Sequence, residues 1–288
     1  MKTDKSIKLG QIVKAYLYGD TIEISANNIH SSQSIMVLPH HQYLVLKTGE
    51  IKAMNTSSVS RKDNLTSLKR TMRQLRRLIT ANFPGGKDEL WVTLTYSQNI
   101  SAVHQDDTKI VYSDFKIFIK RLRNKVNYLE YIAILEPQAS GRWHIHVLFK
   151  TKDGSKLYIP NTKMECLWGH GFTNTKRLSS HDNVSSYVMA YVTNLKIDNE
   201  WEKKKSIKGA RLYLYPKGVR IYRRSKGIIN PKKITTTKRE LGKLYKLDKR
   251  TRRASYRQEF IPKSSNKKII TQTEFFDKKK VKNSPIIT

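Results

Sequence analysis

The chain has almost no cysteine and no long apolar run. Cys166 is its one cysteine, so no intrachain disulfide can form, and a reducing cytoplasm is the expected compartment. No N-terminal segment joins a basic stretch to an apolar stretch of the kind that directs export. No run approaches the roughly 18 apolar residues of a membrane span. These absences predict a soluble, cytoplasmic protein without a membrane partner.

Acidic residues are also scarce. The chain has 23 Asp and Glu against 56 Lys and Arg, which gives a formal net charge of +33. A compact fold with so much charge of one sign repels itself, and a polyanionic partner relieves that repulsion. Nucleic acids are the usual polyanions, and their binding weakens steeply with salt because it releases counterions. The charge alone does not choose between DNA, RNA and other polyanions.

The periodicity of apolar residues predicts an α+β fold around an antiparallel sheet. Residues 1–60 predict short strands and turns, and residues 64–79 predict an amphipathic helix. The basic side of that helix fits a phosphate backbone and a solvated surface equally well. The later elements are, in chain order, a strand at 90–96, a helix capped by Ser113, strands at 131–136 and 143–149, a helix at 162–168, a strand from Phe172 and a helix at 183–196.

Composition divides the chain into four predicted segments. Residues 1–87 carry the N-terminal strands and the basic helix, and residues 88–200 form the core. Residues 201–258 are a basic extension in which tyrosines alternate with cations around a small hairpin. This pattern suits DNA contact, although tyrosines on a short sheet are more often simply packed. Residues 259–288 are polar and charged, which predicts a disordered tail.

Two histidines and a glutamate form the first candidate site. His144 and His146 share one face of a predicted strand, because side chains alternate between faces. If residues 137–142 form a hairpin loop, Glu136 lies beside them on the neighbouring strand. Two imidazoles and a carboxylate can hold a divalent ion with positions left open for phosphate and water. Paired strand histidines are also often purely structural, and this alternative stays open.

Two tyrosines form the second candidate site. Tyr187 and Tyr191 are four residues apart, so they lie on the same side of the predicted helix, next to its apolar stripe. A tyrosine that attacks a phosphodiester keeps the bond energy in a phosphotyrosine, which allows later resealing. Two tyrosines beside an apolar stripe also fit simple packing at the edge of a core.

These features occur in an order that resembles the three motifs of HUH endonucleases. The motifs are the strand at 91–96, Glu136 with His144-Ile145-His146, and Tyr187-x-x-x-Tyr191. The chain is similar above all to the replication-associated proteins of rolling-circle plasmids and single-stranded DNA phages, a group that includes filamentous-phage gene II protein. Further similar stretches lie at residues 167–173, 208–216 and 222–227, so the resemblance covers about residues 88–230.

The resemblance implies a fold and a mechanism. It implies an HUH domain with a five-stranded antiparallel sheet flanked by helices, in which His144, His146 and Glu136 hold Mg²⁺ or Mn²⁺. Tyr187 or Tyr191 would be the nucleophile of a rolling-circle initiator that nicks and rejoins single-stranded origin DNA through a 5′-phosphotyrosine. Because the chain has no Gly-x-x-x-x-Gly-Lys-Ser/Thr loop, such an initiator would depend on a host helicase as well as a DNA polymerase.

One departure from the family pattern concerns the nucleophile. Many relatives have a lysine three residues after it, but here those positions are Ala190 and Asn194, and Lys196 is the nearest lysine. The order in which the tyrosines attack therefore stays open, with Tyr187 preferred as the first. A relaxase or transposase with the same chemistry, and a non-catalytic basic DNA- or RNA-binding protein, are the alternative functions.

Overall fold

The computed structural model of the chain describes residues 6–28, 35–57, 65–100, 107–138, 140, 142–178, 215–261 and 268–278. They divide between two compact units. We call Ser57–Asn230 the central unit, and Met1–Thr56 with Pro231–Thr288 the terminal unit. The described strands all pair antiparallel, and the described residues contain four helices, so the predicted α+β class is confirmed.

The elements are, in chain order, β1 (Ile12–Tyr18), β2 (Thr21–Asn27), β3 (Ile35–Leu38), β4 (Gln42–Val45), β5 (Ile51–Ala53), α1 (Leu65–Asn82), β6 (Glu89–Thr95), α2 (Thr108–Arg123), β7 (Leu129–Pro137), β8 (Trp143–Thr151), α3 (Asn161–Trp168), β9 (Thr173–Arg177), β10 (Tyr222–Arg224), β11 (Lys232–Thr237), α4 (Lys238–Tyr245), β12 (Arg252–Phe260) and β13 (Ile269–Asp277).

The central unit is built on a five-stranded sheet in the order β10-β7-β8-β6-β9. This confirms the predicted five-stranded antiparallel sheet. Strands β7 and β8 form the predicted hairpin, with Pro137 opposite Trp143. Strand β10 adds to the edge of the central sheet beside β7. The small hairpin expected in the basic extension stays a prediction, because residues 179–214 lie outside the described part.

Helices cover both faces of the central sheet. Phe118 of α2 contacts Phe149 on one face, with ring centroids 6.2 Å apart. On the other face, the ammonium group of Lys150 donates to the backbone carbonyl of Asn82, the last residue of α1, at 3.2 Å. The helix α1 is amphipathic as predicted, because the described members of its apolar stripe, Leu68, Met72, Leu75 and Ile79, are buried.

The start of α2 differs from the prediction. Ser113 was expected to cap this helix, but α2 begins at Thr108 and Ser113 lies inside it. The cap is Asp107, whose side chain accepts a hydrogen bond from Lys109 N at 2.7 Å. Ser and Asp are both good N-caps, and the first turn of α2 adds only one buried apolar residue, Val111, to the stripe that follows.

The terminal unit has its own five-stranded sheet, in the order β11-β1-β2-β13-β12. Here the structure departs from the disordered tail expected at 259–288, because β13 lies between β2 and β12. Glu274 of β13 is fully buried, and it accepts hydrogen bonds from Ile7 N, Lys238 Nζ and Arg252 Nη1 at 3.0, 3.0 and 3.3 Å. The buried carboxylate of Glu274 thus connects three segments of the chain by hydrogen bonds.

The remaining described strands, β3, β4 and β5, form a small three-stranded sheet within the terminal unit. Among the described helices, none combines the length and apolar character that crossing a membrane requires.

We expect Phe276→Ala to destabilise the terminal unit strongly. Phe276 is 2% exposed in its core, and removing a buried phenyl ring costs about 3–5 kcal/mol of unfolding free energy. The control is Phe260→Ala on β12, because Phe260 is 52% exposed. Urea unfolding of both variants measures the difference. Equal, small losses would show that β13 is not held in this sheet.

Candidate metal centre

The hairpin of β7 and β8 brings Glu136, His144 and His146 together. Glu136 pairs directly with His144, and Ile134 pairs with His146, so all three side chains leave the sheet on one face. One ligand atom from each residue lies within 4.8 Å of the other two. We call these residues the Glu-His-His cluster and this side of the sheet the cluster face. The predicted grouping of the three residues is thus present.

Hydrogen bonds fix the ring of His146. Its Nε2 lies 2.5 Å from Glu136 Oε2, and a carboxylate there accepts a hydrogen bond from the ring nitrogen. On the other side of the ring, Nδ1 lies 3.1 Å from the hydroxyl oxygen of Thr93, on β6. A hydroxyl can donate or accept, so Thr93 can hold either tautomer of the ring in the same orientation.

His144 is held by the end of the hairpin. The side-chain amide of Gln138 lies within hydrogen-bond distance of His144 Nε2 and 3.3 Å from its Nδ1. His144 and Glu136 are half-buried, whereas His146 is 5% exposed. The cluster therefore has a closed side at His146 and an accessible side at His144 and Glu136.

This arrangement could hold a divalent metal ion. His146 Nε2 and Glu136 Oε2 lie 2.5 Å apart, and His144 adds a second imidazole, so these three residues would hold the ion. Two imidazoles and one carboxylate leave open coordination positions, and such mixed ligands suit several first-row metals.

Apolar side chains surround the closed side of the cluster. The ring of Trp91 meets the ring of His146 edge to face, with centroids 5.9 Å apart. Ile134, opposite His146, is fully buried. Low polarity on this side strengthens electrostatic interactions made by a bound ion and keeps water to the accessible side.

Two buried tyrosines near this end of the sheet have structural roles. Tyr215 donates its hydroxyl to the carbonyl of Leu135 at 2.6 Å, and burial raises its pKa, as does the neighbouring carboxylate of Glu136. Tyr96 donates to Asp114 at 2.9 Å, and its pKa is raised by burial and then by the Asp114 charge. Because a nucleophilic tyrosine must lose its proton readily, neither hydroxyl suits that role.

The loop after α3 is tied to the end of β6. Gly171 adopts φ = +144°, and an added Cβ would lie 2.3 Å from Ser97 N, so this close approach requires glycine. The indole of Trp168 donates to the carbonyl of Thr95 at 3.1 Å. These contacts fix the strand that carries Thr93 and explain the glycine-rich stretch at 167–173.

Thr93 and Gln138 were missed by the reasoning from sequence. The alternation of side chains puts Thr93 on a defined face of β6, but no sequence pattern says that β6 pairs with β8 and places Thr93 opposite His146. The predicted nucleophiles, Tyr187 and Tyr191, lie outside the described residues. Their position relative to the cluster therefore remains a prediction.

One segment of the chain is similar to a known protein family. Residues 89–196 match the family model of the replication-associated proteins ORF2 and gene II protein. No curated protein and no solved structure matches the chain. The matched residues include the hairpin of β7 and β8 and all of the Glu-His-His cluster. The resemblance to gene II-type replication proteins is thereby confirmed for residues 89–196, which are similar to this replication-associated family.

Proposed function

We propose that this protein is an HUH endonuclease that initiates rolling-circle replication by nicking and rejoining single-stranded origin DNA. The observation that carries the proposal is the Glu-His-His cluster, which lies inside the segment that matches the replication-associated family. The net charge of +33 supports a nucleic-acid substrate. After the nick, a host helicase would unwind the DNA and a host DNA polymerase would extend the 3′ end.

In this proposal, His144, His146 and Glu136 bind Mg²⁺ or Mn²⁺ at the cluster face. The ion would polarise the scissile phosphate and stabilise the negative charge on the non-bridging oxygens of that phosphate. With an ion bound, His146 Nδ1 would carry the ring proton and donate it to the Thr93 hydroxyl, so that Nε2 would face the ion. The amide of Gln138 orients His144. Because apolar side chains surround His146, the DNA would approach the cluster from the side of His144 and Glu136.

Tyr187 or Tyr191 is the proposed nucleophile. Its phenolic oxygen bonds to phosphorus as the bond between phosphorus and the 3′ oxygen breaks. The phenolic proton is lost, and the departing 3′ oxygen gains a proton, so the products are a 5′-phosphotyrosine and a free 3′ hydroxyl. One phosphodiester replaces another, which is why the same site can run the reaction backward and reseal DNA. Tyr187 is preferred as the first attacker.

Two other functions remain as alternatives. A relaxase or transposase would use the same metal and tyrosine, so it would differ in the DNA it recognises rather than in its chemistry. A non-catalytic basic protein that binds DNA or RNA would need neither metal nor a covalent bond. The high net charge fits the nickase and the non-catalytic binder alike, and only a test of the chemistry separates them.

We expect Thr93→Val to weaken Mn²⁺ binding about tenfold, because losing a hydrogen bond that orients a ligating histidine typically costs about 10- to 100-fold in affinity. Isothermal titration calorimetry measures the change. The control is Thr175→Val on β9, since the Thr175 hydroxyl is buried and has no hydrogen-bond partner among the described residues. If both variants bind Mn²⁺ as the parent does, Thr93 does not position His146 for an ion.

A covalent adduct is the expected product when the protein meets labelled single-stranded DNA of random sequence and Mn²⁺. The adduct should survive SDS and denaturing gels, and EDTA or His144→Ala should abolish it. Tyr187→Phe should remove at least nine-tenths of it if Tyr187 attacks first. Sequencing the trapped DNA then identifies the cut site.

The control for the tyrosine variants is Tyr158→Phe, because Tyr158 is 68% exposed in the central unit and outside the cluster. It should form the adduct at the parental level. Retention of the adduct in both Tyr187→Phe and Tyr191→Phe, with loss only in the double variant, would mean that either tyrosine can attack. Absence of any adduct, with tight DNA binding intact, would contradict the nickase and favour the non-catalytic binder.

A further inference from the structure

The outer side of α1 carries positive charge and no negative charge. Its 18 residues contain five cations and no acidic residue. Lys69, Arg70 and Arg73 are exposed, and Arg76 and Arg77 are half-buried. None of the three residues of the Glu-His-His cluster lies on α1. The candidate metal centre therefore does not explain why positive charge is concentrated on this helix.

Helical geometry gathers these five cations into one stripe. At 3.6 residues per turn, each residue advances by about 100°, so positions 69, 70, 73, 76 and 77 fall within an arc of about 120°. The buried residues Leu68, Met72, Leu75 and Ile79 fall on the opposite side. The charge is therefore segregated from the core, and it extends along about 12 Å of the helix axis.

The helix α1 lies against the same side of the central sheet as the Glu-His-His cluster. Lys150 follows His146 by four residues on β8, so it projects from the cluster face. Its ammonium group donates to Asn82 O and lies 5.7 Å from the centre of the Phe83 ring, at the end of α1. In contrast, α2 packs on the opposite face through Phe118 and Phe149.

The composition of this stripe indicates whether it binds single-stranded or duplex nucleic acid. Surfaces that bind single strands usually combine cations with aromatic side chains on which unpaired bases stack. The helix α1 contains no Phe, Tyr or Trp. A row of guanidinium and ammonium groups without aromatic residues suits phosphates whose bases are already stacked and paired inside a duplex.

We propose that the outer side of α1 binds the phosphate backbone of duplex DNA. The inference rests on the proposed function in one respect: the duplex is the double-stranded DNA that flanks the strand presented to the Glu-His-His cluster. The contact fixes position without reading sequence, because phosphates carry no base information. A stripe of about 12 Å can reach phosphates across one groove, whose width is about 6 Å or 12 Å.

The test is the salt dependence of duplex binding by the full chain without a metal. The variant replaces three exposed cations together, Lys69→Gln, Arg70→Gln and Arg73→Gln, since glutamine preserves helix propensity. Binding to a labelled duplex in EDTA is measured by fluorescence anisotropy over a series of salt concentrations. Each lost phosphate contact lowers the slope of log K against log salt by about 0.9, so we expect a drop of about 2 to 3. Affinity for the duplex near 0.15 M salt should fall about 10- to 100-fold.

A matched control lies on α2. Lys109→Gln, Lys116→Gln and Lys120→Gln change the charge by the same amount, and these three lysines are exposed on the helix that packs on the opposite face. This control should lower the slope by less than about 1. Equal losses in the two triple variants would mean that only the overall field of the protein matters, which would overturn the proposal.

Two further comparisons show which form of DNA the surface binds and separate this proposal from the nickase proposal. If the α1 variant loses as much affinity for labelled oligo-dT as for the duplex, the surface binds single strands and the proposal is wrong. Circular dichroism confirms that the variant is folded. Since binding is measured in EDTA, failure of the nickase proposal appears only as a missing covalent adduct in the parent protein, whereas failure of this proposal appears only in the binding data of the variants, as equal salt slopes or as an equal loss of affinity for oligo-dT.

Discussion

The register between β7 and β8 determines the candidate metal centre. Side chains alternate along a strand, so a slip of one residue would turn Glu136 or both histidines to the opposite face. The register is set where the hairpin closes, with Pro137 opposite Trp143 and Gln138 N bonded to Arg142 O. The same short loop places Gln138 beside His144. One local turn thus aligns the three ligand residues and the side chain that orients one of them.

Most of this local arrangement could be predicted from the sequence. The His-x-His spacing and the turn between the two strands are sufficient to bring Glu136 next to His144. Contacts between distant segments were not predictable in the same way. Thr93 reaches His146 only because β6 pairs with β8, although α2 and β7 lie between them in the chain.

The terminal unit shows the same limit more strongly. A strand with Gln272 and Glu274 on its core side lacks the apolar alternation that identifies a half-buried strand, so its composition indicated a disordered tail. Lys238 and Arg252 offset the desolvation cost of burying Glu274, because they provide opposite charges and hydrogen bonds. Those partners come from other segments, and no periodicity within the strand reveals them.

The segment that resembles the replication-associated family does not by itself complete the central unit. The match ends at residue 196, whereas β10, at Tyr222–Arg224, pairs with β7 on the side away from β8. Strand β7 carries Glu136, so one of its two neighbours lies beyond the matched residues. Tyr215 adds a second tie, because its buried hydroxyl bonds to the carbonyl of Leu135, next to Glu136. The position of the carboxylate in the Glu-His-His cluster therefore depends on Tyr215 and on the backbone of β10, both of which follow the matched segment. The basic extension predicted from composition to contact DNA thus contains residues that support the strand carrying Glu136.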